Sequence, residues 1–319
     1  MRIFLAGATG AIGRRLVPML LEEGHQVTGM TRSAEKADAV QASGAELAVC
    51  DALDRQALTD AVRSARPYAV VHQLTAIPQR IDPRKIERDF ALTDRLRTEG
   101  THNLLAAARA AGASRIVAQS VAFMYEPTGA GSVHGEDDPL YPDAPPAFER
   151  TLGAVKELER ATVAADGTVL RYGYFYGPGT AVSSEGSFAA QARRRQLPVV
   201  GGGTGVWPFI HIDDAARATV AALAGPAGVY NIVDDDPALV RDWIPSFCQA
   251  VGAPKPLRVP AWLARLVAGT YGVLTMTSAE GASNERAKQQ LGWTPRYPSW
   301  REGFRTALNS DNPATATKS

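Results

Sequence analysis

Gly7-Ala8-Thr9-Gly10-Ala11-Ile12-Gly13 follows the apolar run Ile3–Ala6 and leads straight into a segment of helical period. A strand, a glycine-spaced turn and a helix in that order form the setting in which such glycines bind a dinucleotide. Glycine lets the backbone turn tightly and approach a pyrophosphate, whose charge then meets free N–H groups and the positive end of the helix dipole. An ordinary strand-to-helix turn is the plain alternative, and the units that follow weigh against it.

Outward from this loop, short apolar runs alternate with helical stretches, the pattern of parallel βαβ units. Strands are predicted at Ile3–Ala6, Gln26–Thr31, Glu46–Val49, Ala69–Gln73, Arg115–Ser120, Thr168–Tyr172 and Gly228–Ile232. Ile12, Leu16, Met19 and Leu20 share one helical stripe that Gly24 closes, and Gly112 closes a second helix in the same way. Strands as apolar as Val70-Val71 and Ile116-Val117 suit a sheet covered by helices on both faces. The predicted fold is α/β: a Rossmann-type doubly wound parallel sheet with a smaller, discontinuous C-terminal substrate lobe. Glycine and proline punctuate the chain after Tyr172, as in Gly177-Pro178-Gly179 and Gly201-Gly202-Gly203. The expected division is a dinucleotide domain over 1–172, to which 209–234 returns, a substrate lobe over 173–208 and 235–309, and a disordered tail over 310–319.

Composition narrows the partners. The 319 residues are 45% hydrophobic, ample for a large core, and 34 basic side chains nearly cancel 33 acidic ones. No global field draws the chain to nucleic acid or to an anionic bilayer. Two cysteines, Cys50 and Cys248, are too few for a disulfide framework or a zinc site and suit a reducing compartment. No export signal opens the chain, and the apolar run Trp262–Leu274 is short and carries Arg265. A cytoplasmic protein with no membrane, nucleic-acid or metal partner is expected.

The end of the second strand reads on cofactor choice. An enzyme selecting NAD usually places an acid there to hold the ribose 2′-hydroxyl. This chain has Thr31-Arg32-Ser33. A guanidinium suits the 2′-phosphate and stacks on adenine, so NADP(H) is favoured over NAD(H); a solvated surface arginine is the alternative. Asp51, with Ala52 beside it, is placed to accept from the adenine amino group, or else to cap the helix that follows.

With these motifs the chain resembles the extended short-chain dehydrogenase/reductase superfamily, the group that includes nucleotide-sugar epimerases. Besides Gly7, Thr9, Gly10, Ala11, Ile12 and Gly13, the resemblance rests on Gly100-Thr101-x-Asn103-Leu104-Leu105 and on Leu170-Arg171 running to Tyr176-Gly177-Pro178-Gly179. Phe209-Ile210-His211-Ile212-Asp213-Asp214, Tyr230-Asn231-Ile232 and Ala287-x-x-x-Leu291-Gly292-Trp293-x-Pro295 complete it. It implies a Tyr-x-x-x-Lys pair on one helix, where the ammonium lowers the phenol's pKa. The matching stretch is Leu152-Gly153-Ala154-Val155-Lys156, which keeps the lysine and lacks the tyrosine. Lys156 is thus expected on the nicotinamide ribose, with a surface helix lysine as the alternative.

The resemblance puts Val121 at the usual serine, with Ser120 one place early, able to serve from a bulge or merely to end the strand. The usual helix asparagine falls on Thr98 or Arg97. Among replacement acids Tyr125 leads, because it follows the strand that flanks the nicotinamide; Ser120, Tyr125 and Lys156 are therefore the catalytic candidates. Tyr125, Tyr174 and Trp207 are the substrate candidates, since Val206-Trp207-Pro208 stands where related nucleotide-sugar enzymes carry a diphosphate-gripping arginine. Arg193-Arg194-Arg195 is read as a mainly solvated run, spread around a helix. The expected function is an NADP(H)-dependent oxidoreductase or epimerase-like enzyme acting on a small, largely uncharged carbonyl or hydroxyl metabolite. A non-redox isomerase, cyclase or dehydratase, and an NADP(H)-sensing binding protein, are the alternatives; the resemblance also implies a homodimer.

Overall fold

The computed structural model describes residues 1–78, 85–129, 133–142 and 146–308. Seven parallel strands form the central sheet, in the spatial order Val229–Ile232, Thr168–Tyr172, Arg115–Val121, Ala69–His72, Arg2–Ala6, Gln26–Thr31, Glu46–Val49. All seven predicted strands are present. The fourth stops at His72 and the fifth runs on to Val121.

Alternation along the first strand explains both layers. Ile3 and Leu5 point into one core with Leu16, Val17 and Leu20 of the Gly13–Glu22 helix and with Ala215, Ala218 and Ala222 of the Ile212–Ala224 helix. Phe4 and Ala6 point into the other with Leu58, Val62, Leu104, Ala107 and Ala108. Each face is closed by helices, which is why the first strand carries only apolar side chains from Ile3 to Ala6. Phe4 is fully buried, so truncation to alanine would cost about 3–5 kcal/mol. Gly24, at φ +76°, ends the first helix in the left-handed conformation expected of it.

A second apolar cluster gathers Trp207, Phe209, Trp243, Phe247, Trp300 and Phe304 from the chain beyond the sixth strand. Proline and glycine segments leave its strands only two or three residues long, and edge-to-face ring contacts hold it, as between Phe209 and Trp243 at 5.3 Å. Arg193-Arg194-Arg195 does not wind around a helix. Arg193 is the last residue of the Ser187–Arg193 helix and Arg195 has φ +55°, so the run leaves the helix as an exposed turn. The expectation for 310–319 lies outside the described residues.

Candidate active site

Strand order reverses between the first and fourth strands, and the glycine loop sits at that crevice. Gly7 has φ +100°, and a Cβ there would come 2.7 Å from the carbonyl oxygen of Gln73. A Cβ on Gly13 would lie 2.3 Å from the oxygen of Gly7. Neither position admits a side chain. The helix that begins at Gly13 has no acid in its first turn and no side-chain cap, and although the N–H groups of Arg14 and Arg15 bond to the Gly10 and Ile12 carbonyls, its dipole still favours an anion at this end. Ile12 is buried, while Thr9 and Ala11 are half-buried along the same loop. The cradle fits a dinucleotide pyrophosphate.

At the adenine end, Arg32 is exposed just past the second strand. Asp51 does not cap the following helix. Its Oδ1 accepts from Leu53 N at 2.9 Å in a local turn, while Asp54 caps Arg55–Ala65 by accepting from Gln56 N and Ala57 N. Ala52 is buried, and its carbonyl accepts from Asn103 Nδ2 at 3.0 Å, which gives the Gly-Thr-x-Asn motif a mechanical role: it ties that helix to the third strand's loop.

The Pro146–Ala164 helix carries Leu152 and Lys156 one turn apart. Leu152 is packed with Val121, Met124, Phe148 and Val155. The Lys156 ammonium donates to the carbonyl oxygen of Tyr141 at 2.5 Å. Ser120 lies within the fifth strand, opposite Arg171, with no bulge, and its hydroxyl donates to Glu159 Oε1 at 2.6 Å. Glu159 also takes two hydrogen bonds from Arg171, at 2.9 and 2.7 Å. Arg171 in turn donates to the Tyr125 hydroxyl at 2.8 Å, and that hydroxyl donates to Asn231 Oδ1 at 2.7 Å. Ser120 and Tyr125 are thus brought into one buried network, and both hydroxyls are engaged inside it. Burial pushes the Tyr125 phenol up to about 12 against the pull of Arg171.

His134, stacked on Tyr125 at 4.9 Å, meets Glu280 through Nε2 at 2.6 Å, and Glu280 also accepts from the N–H groups of Thr128 and Gly129. This pairing fastens the loop beyond Tyr125 to a residue 146 positions from His134.

Tyr174 and Trp207 do come together. Phe123 stacks on Tyr174 at 4.2 Å, and Tyr174 on Trp207 at 4.1 Å, while the indole N–H donates to Thr275 O at 2.8 Å and fixes its plane. Tyr125 belongs instead to the cluster of Ala122, Val233 and Ala282. Phe123, Tyr141 and Tyr271 pack against the Leu152 cluster, so the position of the missing phenol borders an aromatic surface. Arg97, missed as a site residue, is buried beside this surface, with Nε and Nη1 lacking any partner among the described residues. Its only sequence signal was its place at the usual helix asparagine of the resembling superfamily. Among the described residues no group of His, Cys, Asp or Glu could hold a metal ion, and no helix is long and apolar enough to cross a membrane.

Residues 3–232 match the family model described as the NAD dependent epimerase/dehydratase family. A Streptomyces sp 3-diazoavenalumate denitrifying reductase is 47% identical over 309 residues, covering 95% of this chain and 99% of that protein. A UDP-glucose 4-epimerase of Mycolicibacterium smegmatis is 27% identical over 93% of this chain and 94% of its own. The crystal structure of a Thermus thermophilus UDP-glucose 4-epimerase in complex with NAD superposes with a TM-score of 0.76 at 23% identity, covering 97% of this chain and 98% of that one. That last likeness is one of fold.

Proposed function

The chain belongs to the NAD dependent epimerase/dehydratase family, and from that premise we propose that it is an NADP(H)-dependent reductase whose hydride acceptor requires no proton from a side chain. It is an enzyme of the NAD(P)-dependent oxidoreductase and epimerase-like class. The observation that carries the reading is Leu152, packed in apolar company one turn before a retained Lys156. Reducing a carbonyl leaves an alkoxide that must be protonated, and the group expected to do so is gone. When bound, a reduced dinucleotide supplies a hydride, and on an aryl diazonium carbon that hydride displaces dinitrogen, giving the arene and the oxidised dinucleotide with no oxyanion formed. The Streptomyces relative is named for denitrifying reduction of a diazo compound, which supports this class of acceptor.

In this reading the Gly7–Gly13 loop holds the pyrophosphate, Arg32 the 2′-phosphate and Lys156 the ribose beside the nicotinamide. Phe123, Tyr174 and Trp207 offer a flat wall to a small, largely apolar metabolite. Ser120 and Tyr125 act through the Glu159–Arg171–Asn231 network, holding the fifth and sixth strands in register beneath the reacting carbon rather than exchanging protons. Free, buried Cys50 and Cys248 suit a cytosolic enzyme. NADPH oxidation is the test, with 3-diazo-4-hydroxycinnamate set against 4-hydroxycinnamaldehyde. Turnover of the diazo acid at least about a hundredfold faster is expected, in line with a missing general acid; the reverse preference overturns the reading.

A further inference from the structure

Arg97 stands on Leu96–Gly100, a five-residue π-helical segment between the Ile86–Arg95 and Thr101–Ala110 helices. Such widened turns recur at functional sites because they re-aim a side chain that a regular helix would point elsewhere. The residue is 2% exposed, and its Nε and Nη1 are shut off from solvent without a hydrogen-bond partner among the described residues. A buried guanidinium is normally paired with a carboxylate, since desolvating it otherwise costs heavily.

Two carboxylates lie nearby, and neither reaches Arg97 Nε or Nη1. Glu159 is held in a two-bond pair with Arg171. Asp94, three residues before Arg97, accepts from Thr151 Oγ1 at 3.1 Å through Oδ2, while its Oδ1 is itself without a partner. Burial pushes the Asp94 carboxyl upward against the pull of Thr151, Arg97 and Arg150. The remaining titratable groups facing Arg97 are His72, which is neutral, and the phenol of Tyr271. Asp94 and Glu159 offset part of the cost of burying this cation through their charge, yet burial still lowers the Arg97 guanidinium to about 10, and its Nε and Nη1 remain without a hydrogen-bond partner among the described residues. Around it the walls are aromatic: Tyr271 stacks on Phe148 at 4.1 Å, and both pack with Leu152.

We propose that Arg97 anchors the carboxylate of a flat aromatic substrate, making it the specificity-determining residue of the site beside Leu152. This deepens the reductase reading above and rests on its placement of the substrate. Guanidinium matches a carboxylate in plane and charge, and the rings beside it match a flat aromatic body. A nucleotide sugar, which brings two phosphates, finds one unpaired cation at this place. A water molecule would fill the hydrogen-bonding gap without neutralising the charge.

The test is calorimetric titration of the protein saturated with NADP⁺, using trans-cinnamate and cinnamamide, probes of one shape that differ in charge. Cinnamate is expected to bind at least about tenfold tighter, the gain of a charge-assisted contact. Arg97→Gln should bring cinnamate down to the affinity of the amide and leave the amide and NADP⁺ nearly unchanged. Should that variant fail to fold, Arg97→Lys keeps the charge but not the fork, and its preference for the acid should fall between those two limits. Equal binding of acid and amide to the native protein overturns the proposal, as does an Arg97→Gln variant that loses NADP⁺ while retaining the acid preference. Reduction of the diazo probe in the first of these cases leaves the reductase reading standing. An intact acid preference without any NADPH oxidation supports the anchor and rejects that reading.

Discussion

Leu152 and Lys156 share one face of the Pro146–Ala164 helix, the first 3% exposed among apolar side chains and the second bonded to the Tyr141 carbonyl at 2.5 Å. One turn before its lysine the helix carries leucine, which has no proton to give. Leu152→Tyr places a donor one turn from the ammonium. Reduction of 4-hydroxycinnamaldehyde should then rise by about 10²-fold or more, the worth of a positioned general acid, while reduction of the diazo acid changes only a few-fold. The larger ring should lower stability by about 1–3 kcal/mol through overpacking, read as a fall in melting temperature. A hundredfold gain on the diazo acid would show that its reduction had lacked an acid after all.

Ser120→Ala and Tyr125→Phe are expected to act on stability rather than on rate. Each deletes a hydrogen bond to a buried charged partner, Glu159 in one case and Arg171 in the other. Denaturant unfolding should show a loss of about 1.5–3 kcal/mol for each, with kcat within a few-fold of native. A rate loss of about 10²–10⁴ at unchanged stability would return the deleted hydroxyl to the chemistry.

Arg32→Ala should weaken NADPH binding by about ten- to a hundredfold, the worth of a charge-assisted contact to the 2′-phosphate, and leave NADH unaffected. Calorimetric titration with both dinucleotides checks it. Equal losses for the two would place Arg32 on adenine alone.

His72 predicts a pH dependence of stability. Leu74 N donates to its Nδ1 at 3.2 Å, so the neutral ring carries its proton on Nε2, toward Thr101 Oγ1 at 3.0 Å. Burial, helped by the Arg97 charge, lowers its pKa from 6.5 to about 4. The unfolded chain takes up a proton near 6.5 and the folded one only near 4, so the contribution is complete above 6.5 and is lost as pH falls toward 4. Over that window it amounts to about 3 kcal/mol. His72→Gln does not titrate and should flatten the fall in unfolding free energy between those pH values; parallel curves for the two proteins would contradict it.

The sheet was legible because strands announce themselves locally, through apolar runs bounded by turn residues, as Ile3–Ala6 is by Gly7. The glycine loop was legible for a related reason, since close backbone approach admits one residue type. The cap of the Arg55–Ala65 helix was harder to read, because Asp51 and Asp54 both precede it and the local backbone decides which one accepts from its first N–H groups. The network around Tyr125 was out of reach. Its members Ser120, Glu159, Arg171 and Asn231 come from separate elements, and residue type alone does not reveal that their bonds are spent on one another. Arg97 was seen only as a departure from a resemblance, because neither burial nor the lack of a partner is encoded in local spacing.

Hydride transfer itself can be followed by isotope. A single turnover of the protein with NADPH deuterated at the transferring position and 3-diazo-4-hydroxycinnamate, read by mass spectrometry, should give 4-hydroxycinnamate carrying one deuterium at the ring carbon that bore nitrogen, with one dinitrogen released. Product lacking that deuterium, or a dinucleotide that keeps its label while the diazo acid is consumed, would contradict direct reduction by this enzyme.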